Sequence, residues 1–122
     1  MAKTRILIVD DDEPIRNALQ RWFGLRGFEV DVAEDGLEAV EKCKITDYDA
    51  LLMDLEMPRM GGIEAVARIR GHLPGVPVVV LTGYSDFSND GLLSDPAKVL
   101  TKPHPLHKIE EAVRELLARP AS

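Results

Sequence analysis

Cysteine is nearly absent from this chain. Cys43 stands alone among 122 residues, so neither an intramolecular disulfide nor a zinc site built on several thiolates is available, and a reducing compartment is expected. Positive charge is also in short supply. Fifteen Lys and Arg face 21 Asp and Glu, for a net charge of -6 and a pI near 5.0. The basic residues are scattered, and without a concentrated Lys/Arg face to neutralise phosphates direct nucleic-acid binding is excluded. Long apolar runs are missing too: the longest aliphatic ones are Ile6 to Val9 and Val78 to Leu81, against the roughly 20 residues that cross a bilayer. No membrane contact is expected. Met1-Ala2-Lys3-Thr4-Arg5 leads into only four apolar residues before an acidic cluster, which is not a signal peptide, and a cytoplasmic location follows as the expectation. Internal repeats, low-complexity tracts and linkers are absent as well. What remains, with 45% hydrophobic and 30% charged residues, is one globular domain with a single core over residues 1–119 and a frayed terminus at 120–122.

Apolar runs and helical patterns alternate along the chain. Ile6-Leu7-Ile8-Val9 has strand character and stops at Asp10-Asp11-Asp12-Glu13; Pro14 then suits the first turn of a helix whose apolar face is Ile15, Ala18, Leu19, Trp22 and Phe23. Gly24 and Gly27 close it. Phe28 to Ala33 alternates between apolar and polar residues, which predicts a half-exposed edge strand. Asp35-Gly36 opens a second helix through Leu37, Val40 and Cys43. Ala50-Leu51-Leu52-Met53 is a run of a kind buried on both faces, ending at Asp54 and a Pro58/Gly61/Gly62 turn. Ile63, Val66 and Ile69 mark a third helix, Val78 to Leu81 a fourth strand ending at Thr82. The polar stretch from Ser85 to Pro96 makes at best a short, weak helix. Lys98 to Thr101 is a last strand ending at Lys102-Pro103, and Leu106, Ile109, Val113, Leu116 and Leu117 line a final helix with Glu110, Glu111, Arg114 and Glu115 outside. Five strand-helix pairs in alternation predict an α/β domain: a doubly wound parallel sheet with helices on both faces.

Parallel strands bring their carboxyl ends to one edge, where ligands collect in open α/β sheets. Four strands end there in polar residues: Asp10-Asp11, Asp54, Thr82 and Lys102. The second strand adds nothing, which fits a sheet whose first and third strands are neighbours. Singly, each has a plain explanation. Acids before a helix cap it, and this accounts for Asp12 and Glu13; a strand-terminal Thr is a β-former, and a Lys before Pro is a surface charge. Their joint appearance at successive strand ends points instead to a site. Converging carboxylates repel unless a cation joins them, and oxygen ligands in this number suit Mg2+. A carboxylate can also be a nucleophile that forms an aspartyl phosphate, with Mg2+, the Lys102 ammonium, the Thr82 hydroxyl and backbone N–H groups neutralising the transferring oxygens.

At this point the residues resemble a known family. Ile6-Leu7-Ile8-Val9-Asp10-Asp11-Asp12, Met53-Asp54 through Gly61-Gly62, Val80-Leu81-Thr82-Gly83-Tyr84 and Thr101-Lys102-Pro103 are similar to the receiver domains of two-component response regulators, over essentially the whole chain. The resemblance implies a flavodoxin-like, five-stranded sheet in the order 2-1-3-4-5. It implies that Asp54 accepts a phosphoryl group from a phosphohistidine on a sensor histidine kinase or histidine phosphotransfer protein, and that the switched domain then controls a protein target or its own output domain. Mg2+, or Mn2+ in its place, is the cofactor, bound by Asp11, Asp54 and the backbone carbonyl of Glu56, with Asp10 acting mostly through water. Thr82 bonds the phosphoryl group, Lys102 pairs with it, and Lys102-Pro103 is cis.

The chain departs from the family pattern in three places. Val99 stands where an aromatic switch residue is usual, the segment from Tyr84 to Ala97 looks shortened and is expected to order on phosphorylation, and His104 follows the Lys-Pro pair with an expected structural or solvated role. Tyr84 and Glu56 are expected to affect phosphoryl lifetime, Tyr84 by sheltering the acyl phosphate. The reading is of a self-directed phosphoacceptor and not an enzyme acting on a diffusible substrate. Two alternatives remain: a haloacid-dehalogenase-like phosphatase, for which Asp10-Asp11-Asp12 is only a loose match, and a degenerate receiver acting as a phosphorylation-independent interaction module.

Overall fold

The structure, a computed structural model, describes residues 3–84 and 93–119. Five strands, β1 (Arg5–Val9), β2 (Glu29–Ala33), β3 (Ala50–Asp54), β4 (Val78–Thr82) and β5 (Ala97–Thr101), form one parallel sheet in the order β2-β1-β3-β4-β5. This is the 2-1-3-4-5 order the resemblance implies. Among the described residues the helices are α1 (Glu13–Leu25), α2 (Gly36–Ile45), α3 (Gly62–Ile69) and α4 (Leu106–Ala118). Most of the segment expected to be a weak helix and to order on phosphorylation falls on residues 85–92, outside the described residues. No helix among the described residues is long and apolar enough to cross a membrane.

The central strands are apolar throughout because both of their faces are covered. Leu7, Val9, Leu51, Met53, Val78 and Val80 pack on one side against Val40, Cys43, Val66 and Ile69 of α2 and α3. Ile6, Ile8, Leu52, Val79 and Leu81 pack on the other against Leu19, Phe23, Ile109 and Val113 of α1 and α4. Each such side chain contributes on the order of 1.5–3 kcal/mol on burial. β2 lies at one edge with a half-exposed pattern, as its alternation predicts.

Helix starts follow their capping residues. The Asp12 carboxylate accepts from the Ile15 N–H at 3.3 Å and the Asp35 carboxylate from the Glu38 N–H at 2.9 Å, satisfying amides that have no partner within the helix. Gly27, at φ +96°, supplies the left-handed turn between α1 and β2.

Two expectations fail. Leu37, assigned to the apolar face of α2, is exposed. Glu110, placed outside α4, is buried against α1, where its carboxylate accepts from Trp22 Nε1 (2.8 Å), Arg26 Nε (3.1 Å) and Arg114 Nε (2.7 Å). Spacing puts Glu110 on the face of Leu106, Val113 and Leu117, and only its charge assigns it to solvent; three donors, from the end of α1 and the next turn of α4, make burial tolerable. Burial pushes the Glu110 carboxyl up, but the bonds from Arg114, Trp22 and Arg26 outweigh it and hold the group below its ordinary value. Such a carboxylate stabilises the fold above the unfolded-state pKa and loses that contribution as pH falls through the folded one. Glu110→Gln is therefore expected to cost about 2 kcal/mol in urea unfolding at pH 7, and the gap from wild type should narrow below the ordinary carboxyl value of 4.5.

Candidate functional site

Register brings the strand ends level. Val9 pairs with Met53, Asp54 with Leu81 and Thr82 with Thr101, so Asp10, Asp54, Thr82 and Lys102 share one edge of the sheet. Behind Asp54 the chain must turn at once into α3. A Cβ on Gly62 would meet the Asp54 carbonyl oxygen at 2.7 Å, so the second glycine of that turn is set by close approach. Arg59, at φ +67°, pairs with the Asp35 carboxylate and ties this loop to the start of α2.

Asp54 is 2% exposed, and its Oδ1 accepts from Lys102 Nζ at 3.0 Å and from the Glu56 N–H at 3.3 Å. Asp10 is buried; its Oδ1 accepts from the Asp12 N–H at 2.9 Å. Its Oδ2 is buried with no hydrogen-bond partner among the described residues and lies 3.8 Å from Lys102 Nζ. Asp11 is exposed at the rim. Thr82 is fully buried at the head of β4, and the Lys102 N–H donates to its carbonyl at 2.7 Å. The Lys102-Pro103 bond is cis, as the resemblance implies.

Burial dominates the charge balance. It raises the Asp54 carboxyl to about 6, with Lys102 pulling down and Asp10 pushing further up, and it raises Asp10 as well. Burial works against the Lys102 ammonium, but Asp54 and Asp10 more than offset this and hold it above its ordinary value. One cation serves two buried carboxylates.

Oxygens of Asp10, Asp11 and Asp54 lie within 4.8 Å of one another. With Asp10 Oδ2 buried and lacking a hydrogen bond among the described residues, this set of hard oxygen donors fits a divalent cation. Binding to the folded chain alone stabilises it, by about 1.4 kcal/mol at ten times the dissociation constant. Mg2+ is accordingly expected to raise the melting temperature by about 5 °C, reversed by EDTA and lost in Asp11→Asn; differential scanning fluorimetry reads it.

Two contributions escape sequence reasoning. The Arg16 guanidinium is buried and donates to the Asp10 carbonyl at 2.9 Å, holding the turn after β1. Its signal is helical spacing, since Arg16 shares a face with Leu19 and Phe23. The Glu56 side chain is the other: Oε2 accepts from the Thr82 hydroxyl and Oε1 from the Gly83 N–H, both at 2.8 Å. No spacing rule finds that contact. Tyr84 is 63% exposed, and its N–H donates to Thr82 Oγ1 at 3.1 Å. Val99 packs half-buried against the α2/α3 core, and His104 Nδ1 lies 3.2 Å from the Thr101 carbonyl oxygen.

The fold and this acidic edge define a class of α/β domain: a doubly wound parallel sheet with a polar site at the carboxyl ends of its strands. Residues 6–114 match the family described as response regulator receiver domain, and the chain belongs to that family. It is 37% identical over 117 residues to the response regulator MprA of Mycobacterium tuberculosis, covering 94% of this chain and 51% of that protein. The chain thus spans about half the length of such relatives. A CheY-like response regulator receiver domain protein from Methanospirillum hungatei superposes with a TM-score of 0.86 at 28% identity, covering 95% of this chain and 94% of that one. The response regulator TrrA of Thermotoga maritima, in a structure in complex with Mg2+-BeF, gives 0.83 at 33% identity, covering 94% and 99%. Nothing in these likenesses points to a phosphatase.

Proposed function

We propose that Asp54 is the phosphoryl acceptor of this receiver domain and that the donor is a phosphohistidine on a histidine kinase or histidine phosphotransfer protein. An Asp54 oxygen attacks phosphorus as the P–N bond breaks and the imidazole leaves; water later attacks the acyl phosphate and returns inorganic phosphate. Mg2+ would be held by Asp11, Asp54 and the Glu56 backbone carbonyl, with Asp10 close by. When bound, it supplies neutralising charge for the phosphoryl oxygens. Lys102 orients the Asp54 carboxylate and then pairs with the phosphoryl group, while the Thr82 hydroxyl donates to it. The added charge shifts the population of conformations, and a protein target or an attached output domain reads that shift.

The observation that carries this reading is that a nearly inaccessible Asp54 shares Lys102 with Asp10, whose Oδ2 faces the ammonium at 3.8 Å but is buried without a hydrogen bond among the described residues. The complete set of Asp10, Asp11, Asp54, Thr82 and Lys102 favours a phosphorylatable domain over a degenerate one. An apolar cavity of about 300 Å³, lined by Ile15, Leu19, Lys102, Pro103, His104 and Leu106, borders the acidic edge. It suits an apolar side chain from the donor protein. A cytoplasmic site of action accords with the lone cysteine. Intact mass after treatment with acetyl phosphate and Mg2+ tests the proposal: one phosphate is expected on the wild type, and no adduct would overturn it.

A further inference from the structure

We infer that the Glu56 side chain is a positioning residue that holds the Thr82 hydroxyl and the Gly83 N–H away from the acceptor, so that a phosphoryl group on Asp54 must displace it. The inference rests on the reading of Asp54 as acceptor. Thr82 is fully buried and has one hydroxyl proton; in this structure that proton goes to Glu56 Oε2 at 2.8 Å. The Tyr84 N–H occupies the hydroxyl as an acceptor, which leaves Glu56 as the direction in which Thr82 donates. Gly83 likewise has a single N–H, committed to Glu56 Oε1 at 2.8 Å. A carboxylate thus spans both donors at the head of β4 with its two oxygens, much as an anionic phosphoryl group needs donors there.

Neither proton can serve two anions at once. Glu56 is also tied to the acceptor, since its own N–H donates to Asp54 Oδ1 at 3.3 Å. One residue therefore touches both the acceptor and the group that must answer it. The residue is exposed, so on displacement its carboxylate can pass into water at little cost. The contact thereby disfavours the phosphorylated arrangement and sets a threshold for switching. It is distinct from the metal-binding role proposed for the Glu56 backbone carbonyl, which a side-chain substitution leaves in place.

Beryllofluoride with Mg2+, titrated as a phosphoryl mimic, provides the test. Glu56→Ala is expected to tighten its binding about tenfold, the scale of one charge-assisted hydrogen bond, and Glu56→Gln, which keeps one acceptor oxygen, by less. In a Thr82→Ala background the effect of Glu56→Ala should shrink to about threefold, because the shared hydroxyl is gone and only the Gly83 N–H is still competed for. In the ligand-free protein Glu56→Ala should speed amide hydrogen exchange at Gly83. Unchanged or weaker binding in Glu56→Ala overturns the inference. So does equal tightening in the Thr82→Ala background, which would make the effect one of charge alone. Unaltered Gly83 exchange overturns the latch while leaving Asp54 as acceptor, whereas a wild type that binds no beryllofluoride overturns the acceptor reading itself.

Discussion

Asp54→Asn is expected to abolish the one-phosphate adduct formed with acetyl phosphate and Mg2+, without unfolding the domain. The amide has nearly the shape of the carboxylate and retains an oxygen that accepts from Lys102 Nζ and the Glu56 N–H. What disappears is the anionic nucleophile. Stability should move the other way. Burial raises the Asp54 carboxyl to about 6 from an ordinary 3.8, so the folded state binds a proton more tightly than the unfolded chain. With metal removed by EDTA, wild-type stability should therefore fall as pH rises from about 4 to about 6. The neutral amide escapes this, and at pH 7 the variant should be about 1–2 kcal/mol more stable than wild type in urea unfolding. Residual adduct in the variant would place the acceptor elsewhere, and Asp11, exposed at the same edge, would be the first residue to examine by peptide mapping.

Lys102→Met is expected to slow phosphorylation by about 100-fold, the scale on which loss of one preorganised charge contact acts on a transition state. The ammonium is 3.0 Å from Asp54 and 3.8 Å from Asp10, the one cation within 4 Å of either carboxylate among the described residues. Methionine preserves the apolar stem that lines the neighbouring cavity, and the backbone N–H to the Thr82 carbonyl is unaffected. The loss can thus be assigned to charge rather than to packing. With its cation gone, the Asp54 carboxyl should titrate still higher, reducing the nucleophilic fraction at neutral pH. Adduct formation followed by mass against time measures the rate; a change of less than about threefold would show that Lys102 does not assist transfer.

Legibility in the sequence differed between the backbone and the side chains. Strands β1, β3 and β4 were readable because strands covered on both faces must be apolar at every position, and the alternation in β2 marked it as an edge for the converse reason. Asp12 and Asp35 were readable as helix starts because capping is local, reaching only three residues along the chain. The site was readable because a parallel sheet sends all its strand ends to one edge, so that residues 10, 54, 82 and 102 need only end their strands to meet. Contacts across the sequence were not. The charge of Glu110 assigns it to solvent because nothing near it in the chain announces Trp22 of the first helix and Arg26 just past its end, 88 and 84 residues away.

The sequence by itself determined the class of fold and the acidic edge, since each follows from periodicity and from what a strand end must be. Only the tertiary structure decided how those groups are charged and paired. Sharing of Lys102 between two buried carboxylates and the grip of Glu56 on Thr82 depend on ångström distances between strands that are far apart in the chain. Electrostatic and hydrogen-bond energies vary steeply over such distances, and spacing along a sequence does not encode them.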